Sequence, residues 1–577
     1  MKLLRVTTLL ALAGCLVSAS GCNQKTHQSP ADLIVKGGQI YTIDLANEWV
    51  EAVAVADGRY VYIGNDDDVD DFLGVDTEVI DLNGKMAMPG INDAHLHPME
   101  GAVKDLFECN FPFTANPEEI ALVVTACVEQ NPDAEWIRGG QWGSNFFVDH
   151  KIDSPREWLD KVSGGKAVFL SDDSAHNTWL NTKAFELMGI DNETPNPPGV
   201  EIVRDKVTGE LNGVVLEGSA SLRKLLPAPD QRQYIAAARH VFKTANKFGI
   251  TGLKDASANP THIIEITKLD RRDEMTIHFA GALDTSRDAR ETALDVEELV
   301  QQRDSLNSKN VDAGFVKIFT DGVPTAARTA AMLADYAPEK KGSVTTAGYM
   351  HINEAQLTRH LIALDAEGFT VKIHTAGDRS VRVALNAIAA TRAANGASGL
   401  RHELAHAGYI DSIDIPRFRT LNAVADLSPY LWYPSPIITS VINAVGRPRG
   451  EQYFPIKSLL TSGAPVLAGS DWPSAAANMS PWGAIEAMIS RQNPSGDYPG
   501  TLWPEEAINL EQALQIFTMQ NARAMKIDEK SGSVELGKLA DLIVLNQNVF
   551  EVPTSKIGDT QVLRTLFSGK TVHLIKE

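Results

Sequence analysis

Eight short apolar runs, each ending in polar residues and separated by helix-like stretches, constrain this chain more than any other feature of its sequence. They read MAMPGINDAH (86–95), ITGLKDAS (250–257), MTIHFAGAL (275–283), GFVKIFTDG (314–322), FTVKIHTAGD (369–378), RHELAHAG (401–408), NAVADLSPY (422–430) and PVLAGSDWP (465–473). Strands that alternate with helices pair in parallel, because parallel neighbours need a crossover. Eight such units predict an α/β fold with a closed (β/α)8 TIM-like barrel over residues 86–525.

Spacing sets the rest of the organisation. The gap between the first and second runs is far longer than one crossover helix requires, so a subdomain is inserted at about 100–240. It takes in a further strand-like run, VFLSDDSAH (168–176), and loop or short-strand material at RGGQWGSNFF (138–147), SAHNTWLNTKAF (174–185) and GELNGVVLEG (209–218). An insertion after the first strand overhangs the barrel mouth. Alternating strands with DG and NG turn signals fill residues 32–85 and recur at 526–577, which predicts one small β-sandwich built from both chain ends.

At 577 residues, 44% apolar and 22% charged, the chain has the composition of a globular protein with a large core. A net charge of -21 argues against nucleic acid or an anionic lipid surface as partner. Residues 1–22 carry a basic start (Lys2, Arg5), an apolar run and small residues before a cysteine, which is an export signal resembling that of bacterial lipoproteins. Two cysteines compete for lipidation: LAGC at Cys15 is the better local motif, whereas Cys22 is followed by a polar linker (23–31) and is preferred. With Asn23 rather than Asp after it, the resemblance implies a lipid anchor in the outer membrane facing the periplasm. For an exported chain, Cys109 and Cys127 are either a disulfide or two buried thiols.

In a βα barrel, chemistry sits at the carboxyl ends of the strands. Of 14 histidines, His95, His97, His374 and His406 fall there, together with Lys317, Asp321 and Asp471. His95 and His97 stand two residues apart, so on a continuing strand they share a face. Taken alone, that pair is equally a satisfied polar strand end or a pair of metal ligands.

The quoted set DAHLH (93–97), VKIFTDG (316–322), VKIHTAGD (371–378), RHELAHAG (401–408) and GSDWP (469–473) resembles the amidohydrolase superfamily, most closely its YtcJ-like, amidohydrolase-3 branch. The resemblance implies two divalent ions, zinc foremost with Mn, Fe or Co as alternatives. His95, His97 and Asp471 would hold one ion and His374 and His406 the other, with a carboxylated Lys317 bridging them. It also implies that SAHNTWLN presents His176 to substrate; Trp142, in the same insertion, is the other candidate contact. One position departs from the branch: Ala405 precedes His406 where Glu is usual, and the nearest acid is Glu403.

These residues suit hydrolysis. Imidazoles and carboxylates hold a Zn-like ion with an open position, where a bound water acidifies towards neutrality. Asp471 is placed to take that water's proton and deliver it to the leaving nitrogen. The expected activity is hydrolysis of a non-peptide C–N bond, an amide or cyclic amide, in a small molecule. Rivals are an ester, carbamate or lactone hydrolase, a mononuclear deaminase with unmodified Lys317, and a surface lipoprotein that binds a ligand or metal without turnover. Asp321 reads as a loop-stabilising residue, Lys254 as a structural charge, and Asp93 as either a ligand-orienting residue or a turn cap.

Overall fold

In the computed structural model, residues 29–285, 294–340, 342–474 and 476–576 are described; Cys15 and Cys22 lie outside them. The barrel is present. Its strands are β1 (Ile91–Leu96), β2 (Ile250–Ala258), β3 (His278–Asp284), β4 (Val311–Phe319), β5 (Thr370–Thr375), β6 (Glu403–His406), β7 (Val424–Leu427) and β8 (Val466–Ala468), paired in parallel in that order. Helices return between them, several started by capping boxes such as Asp230 with Gln233 and Asn353 with Gln356.

β1 and β8 close the barrel largely through side chains and loop backbone. Asn521 donates to the Asn92 carbonyl at 2.5 Å and the Ala468 carbonyl at 2.7 Å, and accepts from Ala468 N at 3.1 Å. Higher up, Asp471 N donates to the His95 carbonyl and His97 N to the Trp472 carbonyl, both at 2.7 Å. Asp93 joins the same seam, accepting from the amides of His95 and Ser470. The approach is close enough that a Cβ on Gly469 would lie 2.4 Å from the His95 backbone.

The run at 86–95 proves to be two strands in different sheets. Met86–Pro89 pairs antiparallel with Leu542–Leu545, and only after Gly90 does the chain enter the barrel. Gly90 sits against Thr251, where a side chain would collide. A four-stranded sheet, Arg59–Gly64, Ala52–Ala56, Leu33–Lys36 and Glu78–Asp81, shares a core with a six-stranded sheet that includes Met86–Pro89, Leu542–Leu545 and Val562–Phe567. Val35, Val53 and Val55 meet Leu542, Val544 and Leu566 there, so the two chain ends bury one another.

Between β1 and β2 the chain builds another six-stranded sheet, in the order Glu201–Arg204, Leu211–Leu216, Thr178–Leu180, Ala167–Asp172, Trp136–Trp142 and Cys109–Asn110. Cys109 and Cys127 are joined by a disulfide at its edge. Gln141 donates to the Pro473 carbonyl and Ser474 to the Ser174 carbonyl, which fastens this sheet over the segment that follows β8. No helix among the described residues is long and apolar enough to cross a membrane.

Candidate active site

His95, on β1, and His97, just past its end, converge on Asp471. Their Nε2 atoms lie 3.5 and 3.4 Å from Asp471 Oδ1. From β6, His406 Nδ1 is 3.8 Å from Asp471 Oδ2. One ligand atom from each of His95, His406 and Asp471 lies within 4.8 Å of the others, so His406 stands close to the His95 side as well as to His374. The His374 and His406 rings are 4.8 Å apart. Lys317, from β4, holds its Nζ 4.8 Å from the Phe319 ring, which stacks on His374. His406 and Asp471 have φ values of 69° and 57°. This left-handed region costs a residue with a side chain about 1–3 kcal/mol, a strain that concentrates at functional sites.

Carboxylates aim the imidazoles. Asp426 Oδ2 is 2.6 Å from His95 Nδ1, and Asp321 Oδ1 is 3.0 Å from His374 Nδ1. A ring held at Nδ1 presents Nε2 as a lone-pair donor of raised basicity. Asp321 also stabilises the backbone around it, accepting from the amides of Ala331, Ala376 and Gly377 and from Ser380.

Behind His95 runs a chain of alternating charge through the barrel interior. Asp426 pairs with Lys372, Lys372 with Glu403 Oε2 at 2.8 Å, and Glu403 Oε1 with Lys254 at 2.5 Å. Each buried charge thus has an opposite neighbour, without which burial would be prohibitive. Lys317 stands outside this chain of pairs: its buried Nζ has no hydrogen-bond partner among the described residues. Burial, aided by repulsion from Lys372, brings its amine down to about 8.

These residues fit a divalent metal. His95 Nε2 is buried without a hydrogen-bond partner, a loss of about 1–3 kcal/mol unless something engages it. Burial holds His95, His374 and His406 well below the ordinary imidazole range, which keeps them neutral, the form that ligates. Three imidazoles with carboxylates are the donor set of a Zn-like ion.

Of the two residues expected from the insertion, the structure brings one to the site. His176 stands 5.3 Å from His374, ring to ring, with Glu217 Oε2 on its Nδ1 at 2.8 Å. Trp142 is instead a packing residue. Its ring lies against Phe147 and Trp179 in the core of the insertion, and its N–H donates to the Leu170 carbonyl. Sequence reasoning missed Asp426, Lys372 and Glu217. A signal existed for two of them: Asp426 interrupts the apolar run NAVADLS, and Lys372 shares a strand face with His374.

The sequence profile of the amidohydrolase family matches residues 78–573. The chain belongs to the amidohydrolase family. Together with its similarity to a formamide deformylase, this makes it a hydrolase acting on carbon–nitrogen bonds other than peptide bonds. Among relatives, this amidohydrolase is 27% identical over 562 residues to N-substituted formamide deformylase of Arthrobacter pascens, covering 93% of this chain and 97% of the relative. It is 26% identical over 544 residues to the putative amidohydrolase YtcJ of Bacillus subtilis (strain 168), covering 93% and 98%, which supports the YtcJ-like branch. In fold, the amidohydrolase resembles an uncharacterized metal-dependent hydrolase of Pyrococcus horikoshii OT3 with a TM-score of 0.69 at 21% identity, covering 90% and 99% of the two chains.

Proposed function

We propose that this amidohydrolase cleaves an amide or cyclic amide in a small molecule by adding water to the carbonyl carbon, and that it works with two divalent ions, zinc foremost. The observation that carries the reading is Asp471: its two carboxylate oxygens lie 3.4–3.8 Å from nitrogens of His95, His97 and His406. His95, His97 and Asp471 would hold one ion, and His374 and His406 the other. A divalent ion bound there supplies an acidified water and an electrophile for the carbonyl oxygen.

The remaining steps belong to the chain. Asp471 receives the proton of the attacking water at a carboxylate oxygen and delivers it to the nitrogen as the C–N bond breaks, so that amine and carboxylate leave. Asp426 and Asp321 fix the rings of His95 and His374. Lys317 is the bridging candidate. Its neutral amine would add carbon dioxide and lose a proton to give an anionic carbamate, placing an oxygen donor where a buried amine now has no hydrogen-bond partner.

The first test is elemental analysis with intact mass under non-denaturing conditions, beside a hydrolysis panel of N-substituted formamides, simple amides, cyclic amides, esters and lactones. About two ions per chain, a carbon-dioxide-sized adduct on Lys317 and turnover of a panel member are expected. One ion and no adduct would favour a mononuclear deaminase. Turnover restricted to esters or lactones would replace the amide assignment.

A further inference from the structure

Glu217 lies at the end of the insertion strand Leu211–Leu216, far in sequence from every residue of the site, and is nearly fully buried. Both oxygens of its carboxylate are committed. Oε2 meets His176 Nδ1 at 2.8 Å, and Oε1 accepts from Thr329 Oγ1 at 2.5 Å. Thr329 lies in the loop that follows β4. Glu217 therefore joins three parts of the molecule: the strand it ends, the His176 turn and the loop after β4.

The local backbone is shaped to allow this. Glu217 itself has φ 55°, a conformation that costs a residue with a side chain and is retained where surrounding contacts enforce it. Its amide donates to Asn177 Oδ1 at 3.1 Å, and Ser219 N donates to the His176 carbonyl at 3.1 Å. Gly322 makes room from the barrel side, because a Cβ there would lie 2.3 Å from both Glu217 Oε1 and Thr329 Oγ1. What all this holds in place is a single imidazole. With Nδ1 on Glu217, Nε2 is the ring's remaining polar atom, and the ring stands 5.3 Å from His374 and 6.2 Å from Phe319, at the mouth of the barrel.

Taking His176 as the substrate contact that the resemblance implies, we propose that Glu217 is its positioning residue, holding the ring at Nδ1 so that Nε2 faces the substrate, and tied by Thr329 to the loop after β4. The proposal rests on the hydrolase reading above. A positioning residue that acts only through another has a distinctive signature: once the second is gone, removing the first changes nothing further.

The experiment is a double-mutant cycle of His176→Ala and Glu217→Gln in the metal-loaded, full-length enzyme. KM and kcat are measured on a hydrolysed panel amide, the dissociation constant on acetohydroxamate, and metal content by elemental analysis. Each single variant should lower kcat/KM by about 100-fold and weaken acetohydroxamate with wild-type metal content, and the double variant should match His176→Ala. Glu217→Asp should recover part of the loss, and His176→Asn serves if the alanine variant does not fold. Additive losses, or unchanged kinetics in His176→Ala, would overturn the proposal. Loss of an ion in His176→Ala would make the ring a metal ligand instead and overturn it too. Should the wild type hydrolyse no amide, the hydrolase reading fails, and the acetohydroxamate cycle decides the positioning role by itself.

Discussion

Asp426 Oδ2 lies 2.6 Å from His95 Nδ1 and also receives Lys372, so one carboxylate both orients a candidate ligand and terminates a buried chain of charge. Replacing it with Asn keeps the shape but removes the charge. Outer partners of ligating histidines typically contribute about 10–100-fold to metal affinity. Asp426→Asn is therefore expected to weaken metal binding by that factor, read by competition with a chromogenic chelator. An unchanged affinity would mean that His95 is held by its backbone alone.

Asn521 gives a prediction about the barrel itself. Its side-chain amide serves the backbone groups of Asn92 and Ala468 at the seam between β1 and β8. Asn521→Leu fills the space but leaves buried donors and acceptors unpaired, at about 1–3 kcal/mol each. With three such groups, a loss of about 3 kcal/mol or more in denaturant unfolding should follow. Because β1 carries His95 and the loop after β8 carries Asp471, metal affinity should fall in parallel.

These two positions show what the sequence could and could not convey. Strand positions and the polar residues at their ends were readable, because burial on both faces gives parallel strands near-continuous apolar runs. The run at 86–95 misled, since two strands of different sheets joined by Gly90 have the same apolar signature as one. Lys254, read as a structural charge, is indeed paired with Glu403, but the pairing links strands β2 and β6 across the barrel and leaves no local pattern. Trp142 failed as a site residue for a related reason: an aromatic in an insertion packs a lid core as readily as it lines a pocket, and only its neighbours Phe147 and Trp179 decide. Asn521 is silent in sequence altogether.

Acid stability should depend on Asp365. Although burial opposes it, hydrogen bonds from His402, Asn395 and Ser398 hold this carboxyl well below the usual carboxylate range. A depressed carboxylate stabilises the folded state above its unfolded value, about 3.9, and that contribution fades as pH falls through the folded value. The stability gap between the wild type and Asp365→Asn should therefore be constant at neutral pH and shrink below about pH 4. His402 has its own effect. Burial holds its imidazole below the ordinary range, so the unfolded chain takes up a proton first and stability begins to decline below about pH 6.5. Urea midpoints of both proteins across pH 3–8 would check this, and a gap that widened in acid would contradict the assignment.

The disulfide between Cys109 and Cys127 spans 18 residues and links the edge strand Cys109–Asn110 to helix Pro117–Gln130 of the insertion. A cross-link over a loop of this length removes unfolded-state freedom equivalent to about 3 kcal/mol. Its effect should be confined to the insertion, whose aromatic core is separate from that of the barrel. Cys127→Ser, or reduction of the wild type, is expected to raise proteolytic cleavage within residues 100–230 while metal content stays unchanged. If His176, held by Glu217, contacts substrate from this sheet, loosening it should also raise KM more than it lowers metal affinity. Joint loss of metal and protease resistance would instead show that insertion and barrel unfold as one unit.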